Sequence, residues 1–183
     1  MTLEYVKNLL NERNIPFIET FYESEKEYWQ SNAEFECVNF KNAREIKVAT
    51  IVIMSNNKHK NLTMQFFEKN NEFEFDDLLF GSWSFEMFDY SPDMLVGDLL
   101  HNIEFVMSGK AMVIDSYKIC NGRKKWYSDA IFNVLDDEIV FGKNGYEKAL
   151  SRIEQKKGFL KTIFGVKMQY EIYDWNTYQS IVK

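Results

Sequence analysis

The stretch 81–119 constrains the fold most tightly. Trp83, Phe85 and Met87 alternate with Ser82, Ser84 and Glu86, the period-2 pattern of a strand with one buried face. Tyr90-Ser91-Pro92-Asp93 follows and carries three agreeing helix-start signals. The Ser91 side chain can accept a hydrogen bond from a free N–H of the first turn. Pro92 at the first helical position gives up no needed donor, and Asp93 complements the positive helix end. Leu95, Leu99, Ile103 and Val106 recur at helical spacing, and Leu100 and Met107 widen the stripe. Gly109 suits the left-handed position that closes a helix. Met112 and Ile114 then open another strand, so the centre of the chain reads strand, capped helix, strand.

The flanks extend this pattern. Residues 2–13 form an amphipathic helix capped by Thr2, with Leu3, Val6 and Leu10 on one face. Asn14-Ile15-Pro16 stops it, because the residue before proline avoids the helical region. Residues 17–42 admit two readings: a helical turn or two at 23–30 anchored by Tyr28 and Trp29, and extended chain around Phe35, Cys37 and Phe40. The run 46–54 is continuously apolar and β-branched, as a strand buried on both faces is. Ser55-Asn56-Asn57-Lys58 turns the chain into a strand opened by Leu62, Met64 and Phe66. Asn70-Asn71 marks the next turn. Phe73 and Phe75 then alternate with Glu72, Glu74 and Asp76 in a half-exposed edge strand whose charges deter edge-to-edge pairing.

Beyond the centre, Asn121-Gly122 signals a hairpin, with Arg123-Lys124-Lys125 at its tip. The returning strand, 125–135, places Trp126, Ala130, Phe132 and Val134 on one face. A short strand at 139–141, a helix from Asn144 to Gly158, a further helical turn at 159–164, a strand through Met168, Tyr170 and Ile172 and a closing helix at 175–182 complete the reading. Strands outnumber helices and mostly succeed one another through short turns. The expected class is α+β, mainly an antiparallel sheet of about six to seven strands with helices packed on one side. Residues 1–183 are expected to form a single α+β domain, with no repeat, linker or low-complexity segment.

Charge narrows the function. The net charge is −6 from 22 bases and 28 acids, a poor footprint for nucleic-acid binding. It is unevenly placed: between Glu68 and Glu104 ten acids face only Lys69, and between Lys143 and Lys167 seven bases face Glu147 and Glu154. Most of that basic strip falls on the polar face of the expected helix, where solvated charge is ordinary. The N-terminus lacks the basic and apolar regions of a signal peptide, and no apolar run is long enough to span a bilayer. Cys37 and Cys120 form no CxxC and read as reduced thiols of a cytoplasmic protein.

Motifs for catalysis are missing. The two histidines, His59 in a polar turn and His101 off the helix stripe, stand in no metal-ligand spacing. Gly81-Ser82-Trp83-Ser84-Phe85 lacks the second glycine of a nucleophile elbow and opens a strand instead. Phosphate-binding glycine loops are absent from the sequence. The acids 136–138 lack the alternation and glycine of a calcium loop. No catalytic residue, metal or cofactor is therefore assigned. What remains is recognition: carboxylates interleaved with Phe73, Phe75, Phe80, Trp83, Phe85, Phe88 and Tyr90 suit the capture of a basic protein, if some rings stay exposed. Alternation by itself sends those rings to the core.

In size, acidity and style, and in the run Gly81-Ser82-Trp83-Ser84-Phe85-Glu86-Met87-Phe88-Asp89-Tyr90 followed by a capped helix, the chain resembles immunity proteins of bacterial toxin–immunity systems. The resemblance implies a non-enzymatic cytoplasmic inhibitor that neutralises a cognate toxin, often a basic nuclease domain. It carries over no functional residue. The expected partner-binding residues are Glu72, Glu74, Asp76, Asp77, Asp89, Asp93, Asp136, Asp137 and Glu138, on a monomer or homodimer without direct nucleic-acid or membrane contact. Two other classes stand beside it: a carboxylate-based hydrolase with a cleft at strand ends, and a structural homodimer joined through a sheet edge.

Overall fold

Helix α1 (Leu3–Glu12) begins where Thr2 Oγ1 accepts a hydrogen bond from the Tyr5 N–H at 3.4 Å. It ends where Asn14 takes a left-handed φ of 55°. The Asn14 and Ile15 N–H groups donate back to the Asn11 and Leu10 carbonyls, a closure that satisfies carbonyls the helix leaves free. Leu3, Val6, Leu9 and Leu10 are buried. The computed structural model describes residues 1–31, 43–85, 87, 91–120, 122–129, 131–133 and 167–182. Phe35, Cys37 and Phe40, the expected strand at 139–141, the helix from 144 to 158 and the turn at 159–164 lie outside them.

The chain gathers into two compact units, Met1–Glu104 and Phe105–Lys183. The first is built on an antiparallel sheet of β1 (Ile18–Tyr22), β2 (Val48–Ile53), β3 (Leu62–Lys69), β4 (Glu72–Phe80) and β5 (Trp83–Ser84), in that spatial order. Strand β2 lies between β1 and β3 and is almost wholly buried, as its unbroken apolar run requires. Register puts Ala49, Ile51 and Ile53 beside Phe66, Met64 and Leu62 on one face, and Val48, Thr50 and Val52 beside Phe67, Gln65 and Thr63 on the other. Helix α1 meets the first face, where Lys7 pairs with Glu19 at 3.2 Å. Helix α2 (Glu25–Ser31), capped by the Ser24 hydroxyl accepting from the Glu27 N–H at 3.2 Å, meets the second. There Tyr28 packs with Val48 and Phe67, and its hydroxyl oxygen accepts a hydrogen bond from Gln65 Nε2.

Asn70 and Asn71, both at positive φ, form the tight turn between β3 and β4 that matches strand twist. The 81–87 strand is shorter than its alternation predicts. Gly81 turns the chain at φ 60°, and only Trp83 and Ser84 pair, with Phe80 and Leu79. Phe85 is buried while Met87 is partly exposed. Helix α3 (Pro92–Met107) starts as expected, the Ser91 hydroxyl accepting from the Met94 N–H at 3.3 Å. Leu99, Ile103 and Val106 are buried, and Gly109 closes the helix at φ 74°. Ser91→Ala removes this cap and is expected to lower stability by about 1 kcal/mol, read as a lower urea midpoint at unchanged slope.

The second unit holds an antiparallel sheet ordered β10 (Tyr178–Val182), β9 (Lys167–Tyr173), β6 (Ala111–Cys120) and β7 (Arg123–Ser128), with β8 (Ile131–Asn133) pairing the start of β6. The expected strand 125–135 is thus two strands lying along one partner: β7 covers 116–120 and β8 covers 111–113. Arg123 already belongs to β7, so the basic triplet is strand and not hairpin tip. Trp126, expected on a buried face, is 50% exposed. The expected closing helix is strand β10 instead. Asp174 Oδ1 accepts from the Asn176 and Thr177 N–H groups at 2.7 Å, a side-chain turn that reverses the chain onto β9. The fold is α+β, with antiparallel sheets and helices packed alongside; its strands divide over two sheets.

Candidate functional site

Four of the nine residues singled out by charge lie on one strand. In β4, Phe75 pairs with Phe66 but Asp77 pairs with Gln65, so Asp76 is the extra residue of a β-bulge. The bulge breaks the alternation. Glu72, Glu74 and Asp77 stand in register with Lys69, Phe67 and Gln65, on the face where α2 packs, and Asp76 sits at the kink. Glu72 and Asp76 are exposed, Glu74 and Asp77 half-buried. Among the described residues β5 pairs only with the last residues of β4, so among them the acidic half is a sheet margin. Its middle is held by the N-terminus, where Thr2 bridges Glu74 and the Phe75 N–H donates to the Met1 carbonyl at 2.9 Å. Asp93 is exposed on the first turn of α3. Asp89, Asp136, Asp137 and Glu138 lie outside the described residues.

The electrostatics of this margin are graded. Glu74 meets Lys69 Nζ at 2.9 Å, an exposed pair worth well under 1 kcal/mol. Partial burial pushes the Asp76 carboxyl above its ordinary range; the Arg44 charge opposes this and Glu25 reinforces it. Burial likewise raises Asp77. The Ser84 hydroxyl, donating at 2.9 Å, and the Leu78 N–H, donating at 2.8 Å, oppose the rise, while the Asp76 charge adds to it. Burial also acts against ionised Glu25, yet Arg44 outweighs it. The Arg44 backbone N–H donates to Glu25 Oε2 at 2.6 Å, and Nε and Nη2 donate at 3.2 Å. The Glu25 carboxyl therefore stays below its usual range. The Arg44 guanidinium lies 4.1 Å over the Phe67 ring.

Rings lie on the opposite face of this sheet. Phe21 of β1 is 56% exposed and meets Phe73 of β4 edge-on, centroids 5.5 Å apart. Both flank the small, buried Ala49 side of the sheet. Phe75, Phe80 and Phe85 turn inward or partly so, as alternation predicts.

A second polar cluster escaped the sequence reading. On the other sheet Asp115 of β6 stands directly opposite Glu171 of β9, and both are buried. The Tyr173 hydroxyl donates to Asp115 Oδ2 at 3.2 Å, and the Tyr117 hydroxyl lies 3.3 Å from Asp115 Oδ2 and 3.4 Å from Glu171 Oε2. Lys124 of β7 pairs with Glu171 Oε1 and places Nζ 3.7 Å from the Tyr117 ring centroid. Two buried carboxylates side by side repel, and the ammonium and phenols offset that repulsion. Such a network fixes strand register, since a one-residue slip of β9 would carry Glu171 to the opposite face. Alternation reads Met168, Tyr170 and Ile172 as the inward face and Glu171 as solvated; only the cross-strand pairing reveals otherwise.

Among the described residues no group of acids, histidines and cysteines could hold a metal ion, and no helix is long and apolar enough to cross a membrane. The chain matches no known family model, no curated protein and no solved structure. Fold and site together define an α+β domain with a carboxylate-rich sheet margin and a buried acid–tyrosine–lysine network.

Proposed function

We propose that the chain is a non-enzymatic binding protein, an immunity-type inhibitor that captures a basic protein toxin on the β4 margin, in the cytoplasm. The observation that carries this reading is the bulge, which sets exposed Asp76 beside half-buried Asp77, with both carboxyls raised above their ordinary range. Charges on an exposed margin are ordinary protection against edge pairing. That purpose is served by solvated acids such as Glu72 and does not require carboxyls held at an electrostatic cost. A cationic partner would relieve the cost. Because Met1 and Thr2 already occupy the backbone at Glu74 and Phe75, the partner would meet side chains and not add a strand.

A carboxylate hydrolase needs two carboxyl groups open to substrate. The in-register pair Asp115–Glu171 is closed off, at 0% and 4% exposure, so this pair does not supply them.

The test is capture by tagged protein, followed by titration of the purified partner at rising salt and falling pH. A basic partner is expected whose affinity drops steeply between about 50 mM and 0.5 M salt. The pH effect has a definite sign. Binding a cation favours ionised Asp76 and Asp77, so binding releases protons wherever these carboxyls are partly protonated. Affinity therefore falls as pH drops through their raised titration range. Salt-independent binding, or a monodisperse dimer in sedimentation with no other partner, would remove this reading.

A further inference from the structure

We infer that the outer strand of the second sheet, β7, is a binding surface for single-stranded nucleic acid. This surface is separate from the acidic margin and does not depend on it. Residues 116–128 contain four bases and no acid, in a chain whose overall charge is −6. Arg123, Lys125, Trp126 and Tyr127 of β7 are all exposed, the two rings at 50% and 40%. A bulge opposite Ser116 and Tyr117 makes Tyr127 the extra residue, and the rings of Trp126 and Tyr127 are both exposed. Lys118 on the neighbouring strand holds Nζ 4.1 Å over the Tyr127 ring.

Edge protection accounts for the cations and not for the rings. Lysine and arginine on an outer strand discourage pairing with another sheet, whereas an exposed tryptophan beside a tyrosine invites association. Exposed rings and cations on a strand that is the sheet edge among the described residues are the parts a single strand needs: π-faces for unpaired bases and positive charge for the phosphates between them. A duplex offers no unstacked bases to these rings. A bilayer is a poorer fit. The end of β7 that would enter it first carries Gly122-Arg123, with no aliphatic side chain to insert.

The experiment is an anisotropy titration of the full chain against labelled oligo-dT and oligo-U of about 12 nucleotides, with a duplex of equal length and phosphatidylserine vesicles as controls. Expected is micromolar binding to the single strands at about 50 mM salt, with a log–log salt slope of roughly −1.4 to −2.1 for two or three phosphate contacts. Trp126→Ala should weaken binding about 5- to 100-fold. Arg123→Glu with Lys125→Glu should flatten the slope by about 1.4. All three side chains are exposed, and an unchanged melting curve will show that the variants fold. No binding at about 100 µM protein, equal affinity of the Trp126→Ala variant, or binding confined to the duplex or the vesicles would overturn the assignment.

Discussion

Replacing Lys124 with methionine is expected to cost about 2–4 kcal/mol of stability, more than an exposed lysine normally carries. The reason is what stays behind. Glu171 is 5% exposed at its side chain and pairs with the Lys124 ammonium, whose own side chain is 37% exposed. Methionine keeps the aliphatic stem against the Tyr117 ring and removes only the charge. Glu171 then faces Asp115, its in-register neighbour, without that cation, and two carboxylates meet in a medium that screens poorly. Part of the loss is recovered by solvent reaching the site along the path Lys124 occupied, so the low end of the range applies if water enters.

The discriminating measurement is a double-mutant cycle in urea. Asp115→Asn removes the like charge while retaining an oxygen that can accept from the Tyr173 hydroxyl, now 3.2 Å from Asp115 Oδ2. In the native background this change should destabilise. In the Lys124→Met background it should destabilise much less or stabilise, a coupling of at least about 1 kcal/mol. Equal effects in both backgrounds would mean that Lys124 acts through packing and not by balancing the pair.

How far the sequence reads ahead of the structure depends on whether a feature is local. The α3 start is a local matter: Ser91, Pro92 and the Met94 N–H lie within one turn, so propensity and capping suffice. The α1 start at Thr2 and the Asn70-Asn71 turn are of the same kind. The failures lie where a distant partner decides. Periodicity alone gives 81–87 a full strand, but among the described residues only Trp83 and Ser84 pair in register with β4. The stretch 175–182 carries helix-compatible spacing, yet β9 offers Tyr178–Val182 a complete ladder. The same holds for the sites. Acidity along β4 is visible in the text of the sequence, while the bulge at Asp76 is a misfit between two strands. Asp115 and Glu171 form a pair only once β6 and β9 are neighbours, and each alone looks like an outward-facing acid.

Reversing charge on the β4 margin should have the largest effect on recognition. Glu72→Lys, Glu74→Lys and Asp76→Lys together are expected to weaken capture of the basic partner by about 100-fold at 50 mM salt, chiefly through slower association. The gap should close to within about 3-fold near 0.5 M salt, where the Debye length is only a few ångströms. Asp77 is left unchanged because its carboxylate accepts from Ser84 and the Leu78 N–H, and its loss would perturb the β4–β5 turn. Glu72 and Asp76 are exposed and Glu74 half-exposed, so these replacements leave the core intact. Loss of the Lys69–Glu74 pair, at 2.9 Å on the surface, adds little. Phe21→Ala, made separately on the opposite face of the sheet, should change affinity and salt dependence little. If the triple reversal leaves affinity and salt slope unchanged, the partner does not bind this margin. If Phe21→Ala alone abolishes capture while the reversal does not, recognition runs through the exposed Phe21–Phe73 pair and the acids serve only to protect the strand.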